Sequence, residues 1–161
     1  MRATQLVLAA AIVAAAPAVS AQVRRPVPAL ETHVGPAHLA PGSHAHLTLK
    51  VVLPSGLHVQ SDKPRDPSLI PTALTVTVPS GLSIVRTTYP KASDLPQPGR
   101  EQALAVFSGT FTIDVDVAIA ASLQPGTVEI PGSLRYQSCT EQVCFPPSRA
   151  AVMWRLAVNA K

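Results

Sequence analysis

An all-β fold, an immunoglobulin-like antiparallel β-sandwich, is what this sequence of 161 residues predicts. Three observations carry the prediction. Apolar residues recur at every second position in several runs, the period of a strand with one face buried. Clusters of proline, serine and glycine separate those runs at short intervals. No stretch shows the apolar period of a convincing amphipathic helix.

The chain opens on "MRATQLVLAAAIVAAAPAVSA", with cationic Arg2, an apolar run from Leu6 to Ala16 and a small-residue exit at Val19-Ser20-Ala21. That is the layout of a secretory signal peptide, residues 1–21, cleaved after Ala21. The run is too short for a membrane span and is interrupted by Pro17. The mature chain is therefore expected in an oxidising compartment where disulfides persist, the bacterial periplasm being the setting indicated. About 140 residues remain after cleavage, enough for one domain with its own core. Residues 22–40 are rich in proline, alanine and histidine and lack periodicity, so they read as a flexible lead-in with room for one short strand. The sandwich is expected over 41–161.

The strands follow in order. In "HAHLTLKVVL", Ala45, Leu47, Leu49, Val51 and Leu53 point one way, and His44, His46, Thr48 and Lys50 the other. "ALTVTV" repeats the alternation with Leu74, Val76 and Val78. "FTIDVDVAIA" turns Phe111, Ile113, Val115, Val117 and Ile119 inward and Asp114 and Asp116 outward. "AVMWRLAV" sets Val152, Trp154, Leu156 and Val158 on one face. Proline presets φ and glycine accepts positive φ, so Pro54-Ser55-Gly56, Pro79-Ser80-Gly81, Pro125-Gly126 and Pro131-Gly132 read as punctuation between strands. "VLPSGLHV" and "TVPSGLSI" echo each other, but two copies of a strand-turn-strand unit do not make a repeat architecture.

Charge narrows the partners. The 13 basic and 9 acidic residues leave a formal net charge of +4. The cations are scattered, with no basic run interleaved with aromatics, so nothing argues for nucleic acid. No second apolar run reaches spanning length, and the mature chain is expected to have no membrane span. Neither a serine-nucleophile elbow nor a phosphate-binding glycine loop occurs, and no cofactor is called for.

The chemistry of interest lies in "YQSCTEQVCFPPS", Tyr136 to Ser148, which holds the 2 cysteines of the chain, Cys139 and Cys144. Fully extended, they would sit about 17 Å apart at roughly 3.3 Å per residue, so a bond between them requires "TEQV" to fold back on itself. Three fates are open: a local staple, a metal clip and a reversible redox pair. A loop this small would stabilise the fold by only about 2 kcal/mol, which makes a weak staple. Two sulfurs alone leave a zinc site short of ligands. His44 and His46, with His33, His38 or His58, offer weak copper or zinc ligation, but they read first as polar residues on solvent-facing strands, and no metal site is expected. No histidine or lysine lies within the cysteine loop to lower a thiol pKa, and Glu141 reads as a solvated carboxylate.

The segment "YQSCTEQVCFPPS" resembles the active-site segment of the N-terminal periplasmic domain of DsbD, the thiol:disulfide interchange protein, in which Y-Q-x-C, a short loop and C-x-P-P recur. "GLHVQSDKPRDPSLIPT" resembles an upstream segment of stand-alone relatives, and "TYPK", Thr88 to Lys91, the cap-loop region. The likeness spans about Pro41 to Val158, and its specific part is the cysteine segment. It implies an immunoglobulin-like sandwich and a protein-disulfide reductase type of activity. It also implies electron relay between a membrane-embedded thiol transporter of the DsbD type and periplasmic thioredoxin-like proteins. By position, Cys144 would form mixed disulfides and Cys139 would resolve them. From the residues themselves, apolar Val143, Phe145 and Pro146 beside a sulfur, where a turn normally takes polar residues, suggest a partner-docking surface, the alternative being that Val143 or Phe145 packs beneath the turn. The cysteines stand one residue closer than in the best-known members. The cap's shielding aromatic falls at Thr88, with Tyr89 beside it, and Arg86 and Thr87 replace acidic cap residues. The chain ends at Lys161 without a transporter or thioredoxin-like domain, so the electron source is expected to be a separate protein. The competing reading is a non-catalytic secreted immunoglobulin-like binding or chaperone module with a structural disulfide.

Overall fold

The computed structural model describes residues 26–99 and 101–160; the expected signal peptide, 1–21, and residues 22–25 of the lead-in lie outside the described residues. The described residues form strands and no helix. In chain order the strands are β1 (Ala29–Gly35), β2 (His44–Val52), β3 (His58–Gln60), β4 (Ala73–Val76), β5 (Leu82–Thr88) and β6 (Ser93–Leu95). They continue with β7 (Leu104–Ser108), β8 (Thr110–Ile119), β9 (Gly126–Tyr136), β10 (Ser138–Cys139) and β11 (Ser148–Val158). Three sheets result, in the orders β1-β2-β8-β5, β11-β9-β4 and β10-β3-β7-β6. Each pairing within them is antiparallel.

Alternation decides which faces meet. Leu47, Leu49 and Val51 of β2 and Ile113, Val115 and Val117 of β8 share one buried cluster with Ile130, Leu134, Trp154 and Leu156 of β9 and β11. Val59 of β3 and Phe107 of β7 join it from the third sheet. This is the core of an immunoglobulin-like sandwich, and burying each such side chain stabilises the fold by roughly 1.5–3 kcal/mol. Trp154, 1 % exposed, also ties the layers together by polar means, since its Nε1 donates to the Thr48 carbonyl at 3.1 Å. The outward residues of β2 and β8 pair across the solvent face. His46 Nδ1 lies 2.8 Å from Asp116 and its Nε2 3.3 Å from Asp114. Arg86 reaches the other Asp116 oxygen at 2.8 Å.

The two "PSGL" echoes have a common cause. Leu57 N donates to Pro54 O and Leu82 N to Pro79 O, while Gly56 and Gly81 carry φ of 78° and 87°. Positive φ at the third position is the mark of a type II turn.

The lead-in is more structured than its composition suggests. Residues 29–35 pair with β2 along the whole of β1, and Leu39 is buried in the core, where it bridges to Val158. The sheet therefore begins before residue 41. Most of β1 is exposed, so the strand carries no clean alternation to read; backbone pairing to β2 and the packing of Leu30 and Val34 against the core hold it.

Between β9 and β11 the chain leaves their long ladder, which closes at Tyr136↔Ser148. The excursion carries both cysteines. Just after Gln137, Ser138 and Cys139 form β10 and pair with β3, in the third sheet.

Candidate functional site

The cysteine segment folds into a hairpin. Thr140 N donates to Val143 O at 2.8 Å and Phe145 N to Ser138 O at 2.9 Å. Threonine at the start of the loop closes it further, because its Oγ1 accepts from the amides of Gln142 and Val143 at 3.2 and 3.0 Å. Short side-chain bonds to nearby backbone of this kind are what make threonine a turn former. Gln137 Nε2 donates to the Phe145 carbonyl at 2.9 Å and ties the outgoing strand back to the incoming one. "TEQV" thus does fold back. Cys139 and Cys144 lie directly opposite one another, Cα to Cα 4.0 Å, and are joined by a disulfide.

The two halves of the bond differ in environment. Cys139 is 1 % exposed, wedged on β10 against β3, whereas Cys144 lies on the exposed return of the hairpin. Its neighbours divide: Val143 is 57 % exposed, Pro146 and Pro147 are exposed, and Phe145 is half-buried. Val143 thus leaves an apolar side chain in solvent one residue from the Cys144 sulfur.

Sequence order conceals the cross-strand neighbours. Register sets His58 of β3 directly opposite Cys139, and Ser108 of β7 opposite His58 on the other side. Cys144, Cys139, His58 and Ser108 therefore form one row across adjacent strands, and directly opposed residues point to the same face. His58 and Glu141 share the wall of a cleft of about 370 Å³, with Asp94, Leu95 and Ser108. Burial lowers the His58 pKa below 6.5, with the Glu141 charge acting in the opposite sense. Beside this row, Gln60 Oε1 and Ser138 Oγ are buried with no hydrogen-bond partner among the described residues. Unsatisfied buried polar atoms are costly and few in native folds.

In the sequence His58 reads only as a weak metal ligand or a polar residue on a solvent face; the structure buries it instead, at 7 % exposed. Its place beside Cys139 depends on the pairing of strands far apart in the chain. The motif "GLHV" and the period of two give no pairing partner.

The sequence matches the family described as thiol:disulfide interchange protein DsbD, N-terminal, over residues 25–154. The chain belongs to that family. Among solved structures it is similar to the reduced DsbD N-terminal domain of Neisseria meningitidis, at 15 % identity and a TM-score of 0.44 over 70 % of this chain and 77 % of that one. It is also similar to AggA, the major subunit of aggregative adherence fimbriae type I from Escherichia coli, at 11 % identity and a TM-score of 0.37, covering 83 % and 96 % of the two chains. No curated protein matches.

Within this DsbD N-terminal frame, Thr88 and Tyr89 line a different cavity from the one that holds His58 and Glu141. Thr88 ends β5 opposite Asp114 and is exposed. Tyr89 is half-buried against the core, and its hydroxyl accepts from Leu74 N at 2.8 Å. Burial raises the Tyr89 pKa. The strand that follows, β6, does line the cleft through Ser93, Asp94 and Leu95. Among the described residues no helix is long and apolar enough to cross a membrane.

Proposed function

We propose that this chain is a periplasmic thiol–disulfide exchange domain, an oxidoreductase of protein-disulfide-reductase type. It relays reducing equivalents between a membrane-embedded thiol transporter of the DsbD type and periplasmic thioredoxin-like proteins. Family membership supports the class of chemistry. The observation that carries the reading is the asymmetric disulfide on a short hairpin, with Cys144 exposed and Cys139 buried. Exchange requires one sulfur that an incoming thiolate can reach in line, and a second that returns to displace the partner. Cys144 fits the first requirement. Cys139, directly opposite it, fits the second. Val143, Phe145 and Pro146 form the apolar surface on which the partner docks, and Pro146-Pro147 stiffens the exit from the hairpin. Thr88 and Tyr89 belong to the cap loop, with Tyr89 anchored through its hydroxyl to Leu74 N.

The roles are tested by trapping. Cys139→Ser should accumulate a mixed disulfide with a thioredoxin-like protein through Cys144, while Cys144→Ser traps little. Phe145→Ser should slow exchange with the protein partner more than with dithiothreitol. Equal trapping by both cysteine variants, or equal slowing towards both reductants, would refute the assignment.

A further inference from the structure

The row Cys144–Cys139–His58–Ser108 places an imidazole where exchange needs a base. We propose that His58 takes the proton of Cys139 during resolution of the mixed disulfide, and so makes Cys139 the attacking thiolate; this rests on the exchange reading above.

The geometry comes from three independent facts. His58 and Cys139 are direct register partners on β3 and β10, which puts their Cβ atoms about 4.5–5.5 Å apart on one face. Both are buried, His58 at 7 % exposed and Cys139 at 1 %. His58 also opens onto the cleft walled by Glu141, so a proton has a route to solvent. Few other charges compete. Ser108, facing His58 from β7, carries none. Asp94, from β6, lines the same cleft but is engaged by Arg65. Glu141, from the cysteine loop, is the carboxylate acting on the ring, and its charge favours the imidazolium. Burial lowers the ring's pKa and so favours the neutral form, the one that accepts a proton.

With Cys144 Sγ bonded to a partner sulfur, the Cys139 thiol gives its proton to His58 and the thiolate attacks Cys144 Sγ. The Cys139–Cys144 bond forms as the Cys144–partner bond breaks. The partner sulfur leaves with the electron pair and is protonated from the imidazolium or from water. The two cysteines are oxidised and the partner disulfide is reduced.

One equivalent of dithiobis(nitrobenzoate) added to the reduced protein reads the two steps separately. Attack by Cys144 releases the first thionitrobenzoate, and closure by Cys139 releases the second. In the wild type the closure rate should reach half its maximum at a lower pH than in His58→Gln, whose profile should follow the unassisted, buried thiol, while the first release is unchanged. At pH 7 closure should slow several-fold, because the loss of thiolate is partly offset by its greater intrinsic nucleophilicity. A second measurement needs no variant: on reduction of the wild type, the His58 ring should titrate at higher pH than in the disulfide form, because it then faces a thiolate. An unshifted closure profile in His58→Gln, or an unchanged His58 titration on reduction, overturns the proposal. Failure of Cys139→Ser to release the first equivalent would instead overturn the exchange reading itself.

Discussion

Reduction of the Cys139–Cys144 bond should lower stability modestly and leave the fold standing. The magnitude follows from the sequence separation of 5. In the chain-entropy treatment, a ring this small restricts the unfolded chain by about 2 kcal/mol. The hairpin has other supports that reduction does not touch, namely Thr140 N to Val143 O at 2.8 Å and Phe145 N to Ser138 O at 2.9 Å. The Gln137 tie to the Phe145 carbonyl also remains. The core of β2, β8, β9 and β11 contains neither sulfur. For a domain of this size the loss corresponds to a fall in Tm of roughly 6–10 °C. Differential scanning calorimetry with and without reductant measures it, with the fluorescence of buried Trp154 as a probe of the core. An immobile Trp154 spectrum at 25 °C and a single cooperative transition are expected in both states. Collapse of the fold on reduction, with Trp154 becoming freely quenched, would refute the reasoning and make the bond a structural staple.

Trp154→Ala should destabilise the domain by about 3–5 kcal/mol, the range for large-to-small changes in a packed core, since it also strips the Thr48 carbonyl of its donor; chemical denaturation reads the loss, and a cost under about 1 kcal/mol would show the residue to be peripheral. Tyr89→Phe removes the acceptor of Leu74 N and should cost about 1 kcal/mol, without changing exchange with dithiothreitol; altered reactivity of the disulfide would instead place Tyr89 at the sulfurs. In the disulfide form, the rings of His46 and His58 should titrate on opposite sides of 6.5 by NMR, His46 above it through its bond to Asp116 and His58 below it through burial. The signs for stability are opposite too: the His46 contribution is present below 6.5 and lost as pH rises through its raised value, whereas that of His58 is present above 6.5 and lost as pH falls through its lowered value. Both rings titrating on the same side of 6.5 would contradict the packing described for one of them.

Local pattern was enough to read much of this fold. In β2 and β8 every alternate residue is buried, and in β11 every alternate residue from Val152 on, as the period of two requires, because a strand with one face in the core must alternate. The "PSGL" turns were equally legible, since the glycine at each carries the positive φ that other residues resist. The hairpin of the cysteines was foreseeable as well, as four residues leave a bonded pair no other path. Elements without alternation were not legible. β1 is a mostly exposed edge strand, and β3, three residues long and buried throughout, offers no period at all. What only the tertiary structure decided is the environment of each sulfur. Two cysteines in one short loop look alike in sequence, yet β10 pairs with β3 and buries Cys139, while the return of the hairpin leaves Cys144 in solvent. The same pairing brings His58 opposite Cys139. Strand register is a property of two distant segments at once, fixed by the faces that the whole core must bury, and no single stretch of the chain contains it.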